Sequence, residues 1–262
     1  MLKLMHLVNL KDFNMKLKVI GTGSKGNAYL LENDSEALLI ECGVNIKAIK
    51  QALKFNLSKL VGCIVTHEHG DHAKSIKEVM AAGINVYANR GTFEALGIPA
   101  GFDKCFHRAH PLHGIDDFRI GGFKVMSFSV QHDAAEPCGF LINHKDTGNV
   151  LFLTDTMYCP YTFKNLHNII IEANYSHEQI RVKLSEMEFL KNRVMQSHMS
   201  LDTCIEFLKK NDLSKVNNIV LIHLSDGNSD ELVFRYEVEN ATGKTVTVAD
   251  NGTKIQFDKT PF

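Results

Sequence analysis

From Leu17 to Phe257 the chain repeats one pattern. A short run rich in Val, Ile and Leu is followed by a break and often by an amphipathic stretch, and no Pro-, Ser- or Gly-rich linker interrupts the series. Apolar runs too short for helices, bounded by Gly, Asn or Asp, read as buried strands, and their alternation with helical periodicity points to one α/β domain. In the first half the predicted strands are LKVIG, NAYLLE, ALLIE and GCIVT. A helix is predicted from about Asn45 to Phe55, with Ile46, Ile49 and Leu53 on one face, and another is marked by Ile76, Val79 and Met80. The second half opens with two hairpins, FRI with FKVMSFSV around Gly121-Gly122 and GFLIN with NVLFLTD around HKDTG. NIIIEAN, NIVLIHL, TVTVAD and TKIQF complete the strands. A helix follows NIIIEAN, and two more are expected at about 201 to 210 and 230 to 240, with Ser200 and Ser229 as N-caps. Two such strand-and-helix halves, if they faced each other, would give a four-layer αββα sandwich, a layering that periodicity alone does not establish.

The domain is expected to span 15–262, preceded by an N-terminal extension over 1–14, with Met15 as the natural start. Lys and Arg total 29 against 30 Asp and Glu, so no bulk field draws the protein to polyanions, and binding of nucleic acid would be local. No apolar run reaches bilayer-spanning length, which argues against a membrane protein. The six cysteines form no CxxC pair and follow no secretory signal, which predicts reduced thiols in the cytoplasm. A homodimer is compatible with the sequence, which does not define the oligomeric state.

GCIVT runs directly into His67-Glu68-His69-Gly70-Asp71-His72. His67 and His69 are two apart on a chain leaving a strand, so both rings can point to one side, while Asp71 and His72 follow on the turn into a helix. Imidazole and carboxylate together suit divalent zinc, manganese or iron, and the absence of thiolate argues against a closed structural zinc site. Further polar residues stand at the ends of later strands: His132 after FKVMSFSVQ, Asp155 after NVLFLT, and His223 after NIVLI. An open α/β site collects its ligands at such strand ends.

With these residues in place, the sequence resembles the metallo-β-lactamase superfamily from about Met15 to the end. Within it the chain is similar to the YycJ (WalJ)-like subgroup, related to cyclic phosphodiesterases and tRNA 3′-processing ribonucleases. The segments that carry this are GSKGNAYLLE, THEHGDH, VQHDAAEPCGF, LFLTDT, IEANYS, SHMSLD and HLSDGNSD. The resemblance implies an αββα fold and two divalent metal ions, zinc or manganese. It implies that His67, His69 and His132 hold one ion, that Asp71, His72 and His223 hold the other, and that Asp155 bridges them. It also implies phosphodiester hydrolysis, as a DNA exonuclease or nuclease. Two positions depart from the pattern: Glu41 ends ALLIECG where relatives carry Asp, a residue that braces the metal loops, and Tyr175 stands where they often carry His.

A two-metal site can activate water and clamp the oxygens of a displacement at phosphorus, with Asp71 and Asp155 orienting the attacking water. His198 precedes a helix upstream of His223, similar in placement to the non-ligand histidine of phosphodiesterase members, and is expected to donate to the phosphate or leaving oxygen. Ser200, Ser225 and Asn228 are expected to bind substrate, and Asn27, in the turn GTGSKGN, to approach the site. His107, His110 and His113 read as loop residues, and Lys183, Lys191 and Arg193, interleaved with Glu186 and Glu188, as a solvated helix face. DNA is favoured over RNA as partner, with a small cyclic phosphodiester as the alternative. The same metal chemistry also serves lactonases, thioesterases and β-lactamases, and a non-catalytic binding role completes the set of readings.

Overall fold

The computed structural model describes residues 14–98, 106–183, 187–225 and 227–260. Of the expected N-terminal extension only Asn14 falls within that range. The first sheet is built from β1 (Lys16–Gly21), β2 (Ala28–Glu32), β3 (Ala37–Ile40), β4 (Leu60–Ile64), β5 (Val86–Asn89) and β6 (Ala109–Leu112). The second holds β7 (Asp117–Ile120), β8 (Phe123–Ser129), β9 (Cys138–His144), β10 (Gly148–Leu153), β11 (Leu166–Glu172), β12 (Asn218–Ile222) and β13 (Thr245–Val248). A last strand, β14 (Lys254–Gln256), returns to pair with β1. The orders are β14-β1-β2-β3-β4-β5-β6 and β13-β12-β11-β10-β9-β8-β7. Each sheet is antiparallel in one part and parallel in the other: β3 to β6 run parallel in the first, and β10 to β13 in the second.

The side-chain alternation of the strands produces the layers. In β2, Tyr29 and Leu31 point between the sheets, whereas Ala28 and Leu30 point outward. In β10, Val150 and Phe152 point inward, and Leu151 and Leu153 outward. Strands buried on both faces read as continuous apolar runs because each face has its own core to fill. The outer face of the first sheet packs on α1 (Ile46–Ala52) and α3 (Ile76–Ala81) through Ile49, Ile76, Val79 and Met80. That of the second packs on α7 (Leu201–Lys210) and α8 (Glu231–Thr242) through Cys204, Phe207, Leu208, Phe234 and Val238. The expected four-layer αββα order is therefore the one found. Inside, the Tyr29 and Phe152 rings meet edge to face at 5.5 Å across the two sheets. Removing a buried aromatic of this kind costs about 3–5 kcal/mol.

The remaining helices are α2 (Gly70–Ala73), α4 (Arg90–Ala95), α5 (His177–Lys183) and α6 (Glu188–Ser197). Both hairpins and the Ser200 cap of α7 form, the latter with the Ser200 hydroxyl accepting from Thr203 N at 3.1 Å. Three expectations need correction. The cap of α8 is Asp230, whose carboxylate accepts from Leu232 N and Val233 N, while the Ser229 hydroxyl turns back to Ser225 O. The first helix stops at Ala52, because Lys54 and Phe55 adopt left-handed backbone angles. His110 is not a loop residue: it lies on β6, with its ring stacked on Tyr87 at 4.7 Å. Pro111 is tolerated there because β6 is an edge strand, where a missing N–H breaks no ladder. Glu186, one of the residues of the expected solvated face, lies outside the described residues.

Candidate metal centre

The site forms where strands of both sheets end. β4 delivers the turn His67 to His69, and α2 carries Asp71 and His72 immediately after it. His132, Asp155 and His223 follow β8, β10 and β12. Asp155 and His223, together with Glu41 after β3, hold positive φ angles of 45°, 55° and 64°. Such angles are uncommon for residues with a Cβ and cluster where a fold must aim a side chain. A close backbone approach sets the first half of the site: Asn27 N donates to Asp71 O at 2.7 Å, and Cys42 N to His72 O at 2.8 Å. Gly43 makes that approach possible, since a Cβ there would sit 1.6 Å from Asp71 O.

The seven predicted ligands come together as two clusters joined by one carboxylate. His67, His69 and His132 form one group, and Asp71, His72 and His223 the other. His69 Nδ1 and His132 Nε2 are 3.2 Å apart. Asp71 Oδ2 lies 3.4 Å from His72 Nε2 and 3.3 Å from His223 Nε2. Asp155 faces both groups, with Oδ2 at 4.0 Å from His67 Nε2 and 3.7 Å from His132 Nε2, and Oδ1 at 3.4 Å from His72 Nε2 and 3.9 Å from His223 Nε2.

The imidazoles are oriented by their other nitrogens. His67 Nδ1 meets the Thr66 hydroxyl at 2.9 Å, His132 Nδ1 donates to Ser197 O at 2.7 Å, and His223 Nδ1 reaches Glu172 Oε1 at 3.2 Å. Such outward bonds fix the tautomer and leave the inward nitrogen with a lone pair. The buried Nε2 of His67 has no hydrogen-bond partner in the protein. Burial, reinforced by the neighbouring His72, holds His67 well below its ordinary pKa, so it stays neutral and able to ligate. Burial opposes the charge on Asp155, but His223 and His72 hold its carboxyl well below the usual range. Imidazole and carboxylate donors with no thiolate among them form a set that fits divalent cations.

Two contributors escaped the reading of the sequence. Glu172, the last residue of β11, is completely buried. Its Oε1 accepts from His198 Nδ1 at 2.7 Å and its Oε2 from Met199 N at 3.1 Å and Thr156 N at 3.3 Å. Asn174 donates through Nδ2 to His223 O at 2.8 Å. The available signal was a carboxylate ending the otherwise apolar run NIIIE, which must find partners when buried.

His198 lies beside these two groups, stacked on His223 at 5.3 Å, and with Asp155, Glu172 and His223 it forms a further group whose donor atoms lie within 4.8 Å of one another. Burial disfavours its imidazolium, yet the adjacent Glu172 carboxylate raises its pKa above the ordinary value. Asn27 reaches the site as expected, its Nδ2 lying 3.3 Å from Asp71 O and 3.2 Å from His72 Nε2. Glu41 accepts from Thr66 N at 3.2 Å and approaches His72 Nδ1 at 3.6 Å. The polar groups of the expected substrate-binding residues are engaged elsewhere. Ser200 caps α7, and Asn228 Nδ2 donates to the Ser225 hydroxyl within a turn. Tyr175 is buried, and its carbonyl accepts from Leu201 N.

The model of the β-lactamase superfamily domain matches residues 37–224, which include every residue of this cluster. The chain belongs to the β-lactamase superfamily. Within the superfamily it is similar to the exodeoxyribonuclease YycJ of Bacillus anthracis, 28% identical over 235 residues, covering 83% of this chain and 86% of that protein. It is similar also to the exodeoxyribonuclease WalJ of Streptococcus pneumoniae, 27% identical over 259 residues, covering 95% and 94%. Among solved structures, the metallo-β-lactamase fold protein YhfI from Bacillus subtilis superposes with a TM-score of 0.69 at 17% identity, covering 92% of this chain and 99% of that one. This superfamily member, with its His and Asp donor set, is a metal-dependent hydrolase. None of its described helices is long and apolar enough to cross a membrane.

Proposed function

We propose that the chain is a dinuclear-metal phosphodiester hydrolase that acts on nucleic acid, as an exodeoxyribonuclease. In this reading His67, His69 and His132 hold one divalent ion, Asp71, His72 and His223 the second, and Asp155 both, the ions being zinc or manganese. When bound, such ions supply Lewis-acid stabilisation of phosphoryl oxygens and activation of water. The protein's own residues do the rest. Asp71, ionised and only partly exposed, accepts a hydrogen bond from the attacking water and orients it. Glu172 engages Nδ1 of His198, which leaves Nε2 as the nitrogen that donates to the phosphate or leaving oxygen.

The observation that carries this reading is the Glu172–His198 pair beside the cluster, bonded at 2.7 Å. A histidine that does not ligate but is held at the rim by a buried carboxylate is suited to proton donation to a leaving alkoxide. The two exodeoxyribonuclease relatives support the choice of DNA. The deciding experiment loads the protein with zinc or manganese. Hydrolysis is then compared on bis(p-nitrophenyl) phosphate, cyclic nucleotides, single- and double-stranded DNA, RNA and a lactone. Activity concentrated on DNA ends is expected. Lactone hydrolysis without phosphodiester hydrolysis would overturn the proposal, and activity confined to cyclic nucleotides would replace the nuclease with a small-molecule phosphodiesterase.

A further inference from the structure

A groove of about 1000 Å³ opens beside the metal cluster, and His132 belongs to both. One wall is α6. Phe189, Arg193 and Ser197 recur on it at helical spacing, so they share a face, and Asn192 and Gln196 flank that face. The face ends at the site itself, where Ser197 O accepts from His132 Nδ1. At 1.5 Å per residue, Phe189 stands about 12 Å along the helix from that anchor. The opposite wall is the segment carrying Gln131 and Asp133.

The chemistry of this face is unusual for an ordinary solvated helix. Phe189 is 85% exposed, presenting nearly a whole aromatic ring to the groove mouth. The single cation, Arg193, is paired with Asp133 at 3.4 Å, so the groove carries little net charge. Its other exposed polar groups are the amides of Gln131, Asn192 and Gln196. Such a surface suits the bases of a strand more than its phosphates: an aromatic face for stacking and amides for the polar edges. The overall net charge of -1 likewise leaves recognition to local contacts.

We propose that this groove holds the single-stranded segment of a nucleic acid whose end lies at the metal site. Phe189 stacks on a base beyond the scissile phosphate, and Asn192, Arg193 and Gln196 face that nucleotide. The inference rests on the phosphodiesterase reading of the site and adds to it a preference for an unpaired strand.

The chain has no tryptophan, so Phe189→Trp creates a sole tryptophan reporter at the groove mouth, excited apart from the tyrosines. Oligothymidylate added to the metal-loaded F189W protein is expected to quench that fluorescence saturably, whereas a fully paired blunt duplex quenches it far less. In parallel, Phe189→Ala is expected to lower kcat/KM on oligothymidylate about tenfold more than on methyl p-nitrophenyl phosphate, the range expected for loss of one base stack. Absence of quenching, with equal losses on both substrates for F189A, would overturn the groove while leaving phosphodiester hydrolysis intact. Quenching by a strand that the loaded protein does not cleave, with methyl p-nitrophenyl phosphate also untouched, would uphold the groove and sink the catalytic reading instead.

Discussion

Glu41 and Glu172 occupy matching places in the two sheets, one after β3 and the other at the end of β11, and both are completely buried. Each accepts a backbone N–H from a neighbouring segment, and each faces Nδ1 of a histidine whose Nε2 turns into the ligand clusters. The similarity stops there. Glu172 reaches His223 at 3.2 Å and His198 at 2.7 Å, whereas Glu41 comes only to 3.6 Å of His72, whose Nδ1 has no hydrogen-bond partner. Their ionisation follows the geometry. Burial lifts the Glu41 carboxyl above its ordinary pKa despite His72 and Thr66, while at Glu172 burial also opposes the charge but is overcome by the charge and hydrogen bond of His198 together with the bond from His223, and the pKa is lowered. One device therefore does two jobs: at Glu41 it braces a loop, and at Glu172 it braces one candidate ligand and aims a candidate acid.

The largest effect is expected from Glu172→Ala. Loss of the bond to His198 should lower phosphodiester turnover by about 10²–10⁴-fold, and loss of the support for His223 should weaken metal binding by about 10–100-fold. Steady-state kinetics with metal titration would measure both, and a variant retaining both near their starting values would break the comparison. Next is His198→Ala, expected to lose a similar factor in turnover while both metals remain bound by elemental analysis. The double variant E172A/H198A should turn over no more slowly than E172A alone, since the two act as a unit. An additive loss would separate them. Glu41→Gln should be milder, weakening metal affinity about tenfold but keeping turnover of the fully loaded protein within about threefold; a collapse in turnover at saturating metal would make the two glutamates equivalents. The smallest effect should come from Thr22→Val. The Thr22 hydroxyl accepts from His223 N at 3.1 Å and from the Tyr29 hydroxyl at 3.0 Å. Its removal should lower stability by about 1–3 kcal/mol in urea denaturation, with turnover nearly unchanged.

The same pair illustrates what could be read from the sequence. Glu41 attracted notice because it departs from a family pattern. Glu172 did not, because at the end of NIIIE it continues a strand, and only the long-range packing of β11 beside the His198 turn reveals its partners. The candidate ligands were legible in part for a local reason, since the His67–His72 run, His132, Asp155 and His223 each stand near the end of an apolar run, and their grouping about two ions came from the family resemblance. The strands were legible as uninterrupted apolar runs, while their four-layer order came from the family resemblance, since periodicity alone does not establish layering. What stayed hidden was short or distant. β5, α4 and β6 have no more than six residues each and too little periodicity to register. The hydroxyl and amide of Ser200 and Asn228 looked available until their own turns were seen to use them. Arg193 read as part of a solvated face because Asp133, its partner, lies 60 positions away in sequence.

The two halves of the sandwich also divide the candidate ligands between them. His67, His69, Asp71 and His72 follow a strand of one sheet, and His132, Asp155 and His223 follow strands of the other. Cations held at this rim would act as a clasp across the seam between the sheets, and the clasp would strengthen with the logarithm of ion concentration over dissociation constant. Chelation should thus unfasten one edge of an otherwise intact molecule. Amide exchange should quicken first in the segments around Gly70, Gln131 and Leu224, while the interior about Phe140 and Phe152 remains protected. For such a protein, metal supply would set its lifetime against proteases as much as its rate of turnover.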